Sequence, residues 1–377
     1  METVFQAFSA AVERFTESAF LCVPARAGRD YLPDGADQFY GATAEGVERL
    51  RRRYASAGYG RGHRVALLLG NRPEFLAHYL ALNAVGASIV PVNPDYQHLE
   101  MLFQLEHSEA ELAICSNDRV ADMETVAEAC TSPVHVLNAD VLPNSFPEPD
   151  SAVNGVLPDN GTECALLYTS GTTGAPKGCI LTNEYFMTAG RWYLGLGGLM
   201  AFEEGQERVL NPLPLFHMNA LAITVTGTIL SGNCLITPDR FHPKTWWQDV
   251  VLTRATAIHY LGVVPAILLN QLPDKNERTH GVRFGVGAGV DPKHHEEFEK
   301  RFGFPLLEVW SMTETGRIFC DSIEPRQVGS RAFGRPRNGL QARVVDSTGI
   351  DVATDEEGEL VVRFAGPDSR KGFLPVI

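Results

Sequence analysis

Two segments far apart in the chain, ALNAVGASIVPV (81–92) and TGTILSGNCLIT (226–237), repeat one pattern: an apolar helix-like run, a break at small residues, then a short β-rich run. No other feature constrains the fold as much. A strand buried on both faces reads as a continuous apolar run, and it reaches a parallel neighbour only through a long connection, usually a helix. In the first copy the pattern predicts a strand over Val65–Leu69, a helix over Glu74–Val85 ended by Gly86, and a strand over Ser88–Val92. In the second it predicts a helix over Ala220–Leu230, a stop at Ser231 and Gly232, and strands over Cys234–Thr237 and Ala257–Leu261. Alternation of this kind implies parallel sheets covered on both faces, hence an α/β protein with two doubly wound αβ subdomains. The parent runs Phe75–Val92 and Met218–Ile236 have the length of membrane spans, but Asn and Gly interrupt both, and no integral membrane segment is expected.

The texture changes near the C-terminal end. From Gly329 the chain reads FGRPRNGLQARVVDSTG and then EEGELVVRF, β-branched runs separated by turn residues with no room for a long helix. We expect residues 1–325 to form the two interleaved α/β subdomains and residues 326–377 a small β-barrel-like subdomain. The stretch from Pro143 to Gly161, rich in Pro, Asn, Asp and Gly, reads as an exposed linker.

A formal charge of −14 argues against a general binder of nucleic-acid backbones, which needs clustered Lys and Arg. The one basic cluster, Arg51, Arg52 and Arg53, continues an amphipathic helix and reads as its solvated face. Seven cysteines lie far apart with no CxxC pair, as expected of reduced thiols in the cytoplasm, and METVFQAF carries a glutamate where a secretory signal would be basic. His294 and His295, in DPKHHEEFEK, are expected on the surface of a helix capped by Asp291 and opened by Pro292.

The most informative segment is YTSGTTGAPKG, Tyr168 to Gly178, between the apolar run Cys164–Leu167 and a second short strand, CILT. Gly171, Gly174 and Gly178 allow backbone angles closed to other residues, so consecutive amides can converge on one anion. Thr169, Ser170, Thr172 and Thr173 add hydroxyl donors, and Lys177 adds a mobile charge suited to a polyphosphate. The spacing is not that of the Walker loop, which opens directly into a helix; here Asn183 is expected to cap the next one. A flexible polar turn would account for two glycines, not for this density of donors, and the chemistry points to ATP.

With PLPLFHMN, GVGAGV, EVWSMTET and GELVVR following in order, the sequence resembles the adenylate-forming superfamily of acyl-CoA synthetases, luciferases and peptide-synthetase adenylation domains. Within it the chain looks most like an acyl-CoA ligase, and the resemblance runs over essentially the whole chain. It implies that Thr169, Ser170, Gly171, Thr172, Thr173 and Gly174, with Lys177, grip the β- and γ-phosphates of ATP. It implies that Gly287, Ala288 and Gly289 pass beside the adenine, and that Trp310, where the family usually has tyrosine, stacks on or near it. Glu308, Ser311 and Met312 belong to the same nucleotide-binding set. Thr313 would bond the α-phosphate, and Glu314 would hold Mg²⁺, a hard cation that prefers carboxylate and phosphate oxygens. His217 would border the acid pocket together with Gly262 and Ser311, the last standing where the family often has glycine. Lys177, His217, Thr313 and Glu314 form the implied catalytic set.

The implied reaction is attack by a bound carboxylate on the α-phosphorus of ATP, giving acyl-AMP and pyrophosphate, followed by displacement of AMP by the thiol of coenzyme A. HMNALAIT has no aspartate of the kind that pairs with an amino-acid ammonium in relatives, so a simple acid is expected, of the medium-chain, branched or carnitine-like type. Alternatives are transfer to a carrier-protein thiol, or a noncatalytic module that binds nucleotide and acyl ligands; self-association as a homodimer stays open. The chain reaches Ile377 without the family's ribose-binding aspartate, hinge and lysine-bearing C-terminal lid. This polypeptide alone is therefore expected to bind nucleotide and acyl-adenylate weakly, with little complete turnover.

Overall fold

A computed structural model describes residues 2–152, 155–169, 176–337 and 339–364. Its strands are, in chain order, β1 (Ala19–Val23), β2 (Ala36–Phe39), β3 (Arg64–Leu68), β4 (Ser88–Pro91), β5 (Leu112–Cys115), β6 (His135–Asn138), β7 (Glu163–Thr169), β8 (Lys177–Thr182), β9 (Arg208–Leu210), β10 (Cys234–Ile236), β11 (Ala257–Leu261), β12 (Phe284–Ala288), β13 (Leu306–Ser311), β14 (Ile318–Cys320), β15 (Leu340–Val345) and β16 (Glu359–Phe364).

One sheet has the order β6-β5-β3-β4-β7-β8, parallel except for β8, which runs antiparallel to β7. The second has the order β14-β13-β12-β11-β9-β10-β1-β2, parallel from β13 to β1 with an antiparallel strand at each edge. β15 and β16 pair as an antiparallel hairpin.

Both sheets are apolar on both faces, which is why their strands read as unbroken runs. Val65 and Leu67 of β3 face a large core shared with β1, β9, β11 and the helices Val4–Phe15, Tyr40–Ala57, Pro73–Val85 and Asn183–Leu194. Ala66 and Leu68 face the other way, onto Met101, Leu105, Met123 and Val126 of two outer helices. The second sheet is covered outside by Trp246, Val250, Val264, Leu268, Phe298 and Phe302. The two predicted helix-break-strand units are both present. Gly86 and Gly232 end their helices in the left-handed conformation. Among the described residues no helix is long and apolar enough to cross a membrane, and Arg51 and Arg52 pair with Glu48 on their own helix.

Three local expectations are corrected. Thr182, not Asn183, caps the helix after β8, its hydroxyl accepting from the amide of Tyr185. Asn183 is fully buried, and its carboxamide is committed to the core: it accepts from the amide of Val4 and from Asn83, and donates to the carbonyls of Asp159 and Thr162. The predicted helix Ala220–Leu230 begins as a π-helix, Asn219–Val225, before continuing as α-helix to Ser231.

The third correction is His295. Asp291 and Pro292 do start the helix Pro292–Phe302 as expected, but His295 shares its inner face with Phe298 and Phe302, three and seven residues on, and is buried. Its Nε2 lies 2.9 Å from the carbonyl oxygen of Leu306 and 3.1 Å from Glu299. Glu299 also takes a two-pronged bond from Arg326 (2.8 and 2.9 Å) and the amide of Leu306 (2.9 Å), tying the helix to β13 and to the loop beyond β14.

Burial works against the charged carboxylate, but these donors outweigh it and hold the pKa of Glu299 down to about 2, from 4.5. A depressed pKa contributes stability that is present above pH 4.5 and is lost as pH falls towards 2; the shift corresponds to about 3 kcal/mol. Glu299→Gln should therefore flatten the acid limb of a urea-stability profile between pH 4.5 and 2. An unchanged acid limb would show that the carboxylate is not what holds this corner.

Candidate active site

In the second sheet the connection from β9 leads to β10 on one side, whereas β11 leads to β12 on the other, so the connections reverse between the C-terminal ends of β9 and β11, the place where such sheets form a crevice. In doubly wound sheets ligands bind at such a reversal. Here the crevice is edged by His217 beyond β9, by Gly262 after β11, by the turn after β12 and by the hairpin tip after β13.

β11 and β12 approach closely because Gly287 stands opposite Tyr260 and Gly262 beyond Leu261. The amide of Gly262 donates to the carbonyl of Ala288 (2.8 Å), and a β-carbon on Gly262 would lie 1.8 Å from the carbonyl oxygen of Gly289. The turn at Gly289 has φ +82° and is held from below by Glu308. This buried carboxylate of β13 accepts from the amides of Gly289 (2.9 Å) and Val290 (3.2 Å) and from the hydroxyl of Tyr260 (2.6 Å). Glu308 thus shapes the segment Gly287–Gly289 rather than projecting into the crevice.

β13 turns into β14 through Met312–Arg317. The amides of Thr315 and Gly316 donate to the carbonyl of Met312, and Ser311 spends its hydroxyl on the carbonyl of Arg317 (2.8 Å). Trp310, half-buried, packs edge-on against Phe319 (5.5 Å between ring centres) and stacks with Phe333 (5.9 Å). Met312 is exposed, and Thr313 and Glu314 are half-exposed at the tip, their side chains without hydrogen-bond partners among the described residues. The hairpin backs onto the helix after β8, Gly316 against the ring of Tyr185. Glu314 stands near enough to β8 that, after burial, its negative charge contributes to pushing the Cys179 thiol up to about 11.

The sequence-predicted phosphate loop leaves β7 at Thr169 and re-enters at Lys177, which face each other across the antiparallel pair; Lys177 is exposed. Ser170, Gly171, Thr172, Thr173 and Gly174 lie outside the described residues. The contact of Gly316 with Tyr185 sets the Glu314 hairpin beside the helix that follows β8, which sequence spacing alone could not establish.

His217 ends the loop from β9, its ring beside Phe216 (4.5 Å), its amide bonded to the carbonyl of Pro214. His217 is exposed, yet the atoms around its ring desolvate it enough to lower its pKa, so the imidazole is neutral at pH 7. It can exchange hydrogen bonds with a carboxylate without a full ion pair.

Sequence reasoning passed over the groups behind His217. His259 of β11 is buried, with Nδ1 3.0 Å from Asn219 Oδ1 and Nε2 2.7 Å from the Tyr193 hydroxyl, and burial pushes its pKa down to about 3. Asn219 sits inside the quoted motif PLPLFHMN; its amide in an otherwise apolar run was the available signal. Also unforeseen is a cavity of about 650 Å³ beyond the ends of β3, β4 and β5, lined in part by Arg29, Arg72, Asn93, Arg119 and Phe216, the ring neighbour of His217. Arg72 is engaged there by Glu74 and Asp140, and Arg119 by Asp122.

Among the described residues no three or more His, Cys, Asp or Glu gather as a metal cage. A lone carboxylate such as Glu314 suits Mg²⁺, which is commonly held by one or two carboxylates together with substrate phosphates and water.

A protein-family model described as "AMP-binding enzyme" matches residues 22–374. Among curated proteins, a sulfoacetate–CoA ligase of Cupriavidus necator is 32% identical over 86% of this chain and 64% of its own length. A medium/long-chain-fatty-acid–CoA ligase of Mycobacterium tuberculosis is 30% identical over 73% of this chain and 46% of its own. The chain thus spans less than two thirds of the length of these relatives. Among solved structures, a benzoate CoA ligase from Burkholderia xenovorans superposes with a TM-score of 0.81 at 19% identity, over 98% of this chain and 72% of that one. An O-succinylbenzoate coenzyme A synthetase from Bacillus subtilis, in complex with AMP, gives 0.75 at 21% identity, over 98% and 88%.

Proposed function

Since this chain belongs to the AMP-binding enzyme family, we propose that it is the nucleotide- and acid-binding body of an ATP-dependent acid–thiol ligase. A carboxylate oxygen attacks the α-phosphorus of ATP; the new O–P bond forms as the bond to the β-phosphate oxygen breaks, and pyrophosphate leaves. The acyl-AMP then passes its acyl group to the thiol of coenzyme A, and AMP departs. The observation that carries this reading is the packing of the Glu314 hairpin, through Gly316, on Tyr185 of the helix that follows β8, the strand by which the chain re-enters from the glycine-rich loop.

In this reading Lys177 and the loop from Thr169 to Gly174 hold the polyphosphate. Thr313 hydrogen-bonds the α-phosphate, and Gly287–Gly289 with Trp310 border the adenine. Glu314 would hold Mg²⁺, which would supply neutralisation of phosphate charge. His217, Gly262 and Ser311 border the acid. Most of the rate enhancement is then positioning and charge stabilisation. CoA ligases for sulfoacetate and for medium and long fatty acids stand among the relatives, which fits a simple carboxylic acid lacking an α-ammonium.

The test is acid-dependent exchange of pyrophosphate into ATP across a panel of short, branched and medium-chain acids, run beside calorimetric binding of stable acyl-sulfamoyl-adenosine analogues. Glu314→Gln should lower exchange by about 10²-fold, the usual scale for removing one preorganised charge contact, while leaving the fold intact. Absence of both exchange and analogue binding would sink the reading.

A further inference from the structure

The polar groups behind His217 form a relay whose every orientation is set from one backbone amide. Leu213 donates its N–H to Asn211 Oδ1 (2.9 Å), so the other arm of Asn211 is its NH₂, which donates to Asn219 Oδ1 (3.1 Å) and Thr224 Oγ1 (2.8 Å). Thr224 in turn donates to the carbonyl of Asn219 (2.9 Å). Asn219 therefore turns its oxygen inward. Facing that oxygen, Nδ1 of His259 must carry the proton, which leaves Nε2 to accept from the Tyr193 hydroxyl.

The π-helix makes this possible. Its wider turn brings residues five apart, Asn219 and Thr224, onto one side, facing His259 together. The remaining arm of the amide, Asn219 Nδ2, has no partner among the described residues and is not sealed from solvent. Asn219 is half-exposed, two residues beyond His217, at the crevice between β9 and β11.

We propose that Asn219 is a specificity-determining residue, presenting a fixed NH₂ donor to the acyl portion of the substrate, so that the site selects acids bearing a hydrogen-bond acceptor over plain alkyl acids of equal size. This rests on the reading of the crevice as the acid site. A plain alkyl chain would strand a donor that the relay prevents from turning away, and an unmet donor is the more effective discriminator. His259 acts through Asn219 and is a positioning residue.

The probes are 5′-O-(N-acylsulfamoyl)adenosines, which need no turnover: butanoyl, and two similarly sized counterparts, methoxyacetyl and 2-oxobutanoyl, carrying an acceptor at different positions. The 377-residue chain is expected to bind at least one acceptor-bearing analogue about tenfold more tightly than butanoyl, the scale of one hydrogen bond to a donor otherwise unmet. Asn219→Leu should erase that ratio while ATP affinity stays unchanged. Asn219→Asp keeps the inward acceptor for Asn211 and His259 but replaces the donor by a carboxylate oxygen, and should reverse the ratio; being isosteric, it covers the case in which the leucine variant fails to fold. His259→Phe should reduce the preference to within about threefold, since the Asn219 oxygen then keeps only one of its two inward donors, Asn211, and the amide turns more readily.

The proposal is overturned if the parent chain binds butanoyl as tightly as both counterparts, or if Asn219→Asp leaves the ratio unmoved. Failure of all three analogues and of ATP to bind would instead overturn the function on which it rests.

Discussion

Replacing Glu308 with leucine should destabilise the protein by about 4 kcal/mol and weaken nucleotide binding at least tenfold, although the carboxylate itself does not face the crevice. Leucine leaves two buried donors unmet, the amide of Val290 and the hydroxyl of Tyr260, and takes from the exposed Gly289 the acceptor that holds its amide. Each buried donor left without a partner costs about 1–3 kcal/mol. The loss is not only of stability. The two amides hold the turn that follows Gly287 and Ala288, so the segment read as the adenine border is released at its C-terminal end. Glu308→Gln retains one acceptor oxygen and should lose roughly half as much. Urea denaturation and ATP calorimetry on the two variants give the comparison, with Tyr260→Phe added to isolate its bond by a double-mutant cycle. Equal stability of the leucine and parent proteins would remove Glu308 from this role.

That result also marks where the sequence stops being readable. Burial periodicity and punctuation identified β3, β4, β10 and β11, the ends of two helices at Gly86 and Gly232, and the start of another at Asp291, because those signals are local. The strands on either side of the glycine-rich loop, β7 and β8, were legible for the same reason, whereas Ser170, Gly171, Thr172, Thr173 and Gly174 lie outside the described residues. What escaped depends on partners distant along the chain. Asn183 looked like a cap because Asn is a good cap, but its amide is held by the first helix and by Asn83. His295 looked exposed amid charged neighbours, yet it lies on the face that carries Phe298 and Phe302. The role of Glu308 is set by Tyr260, on the second strand away in the sheet. The relay from Asn211 to His259 requires a π-helix, whose period no simple amphipathic pattern announces. Sequence thus marked where strands and helices end, while the side chains that support those ends came only with the fold.

Gly262 offers the sharpest separation between a support and a contact. Its β-carbon position falls 1.8 Å from the carbonyl oxygen and 2.4 Å from the carbonyl carbon of Gly289, both backbone atoms, so no side chain can swing aside. Gly262→Ala must instead drive apart the ends of β11 and β12, stretching the bond from the amide of Gly262 to the carbonyl of Ala288 and shifting the turn that Glu308 holds. The expected loss is about 3 kcal/mol, the top of the usual range for an overpacked site, with acid-dependent pyrophosphate exchange reduced by at least 10²-fold because a misplacement of about 1 Å is enough for that. Gly289→Ala is the control. A methyl there meets nothing within 4 Å but must adopt φ +82°, so its cost is one of backbone strain, about 1–2 kcal/mol. If the crevice is shaped by the close approach of the two strands, the alanine at 262 is the more damaging of the two in both thermal unfolding and exchange. The reverse order would mean that the conformation of the turn, rather than the contact across β11 and β12, sets the shape of the site.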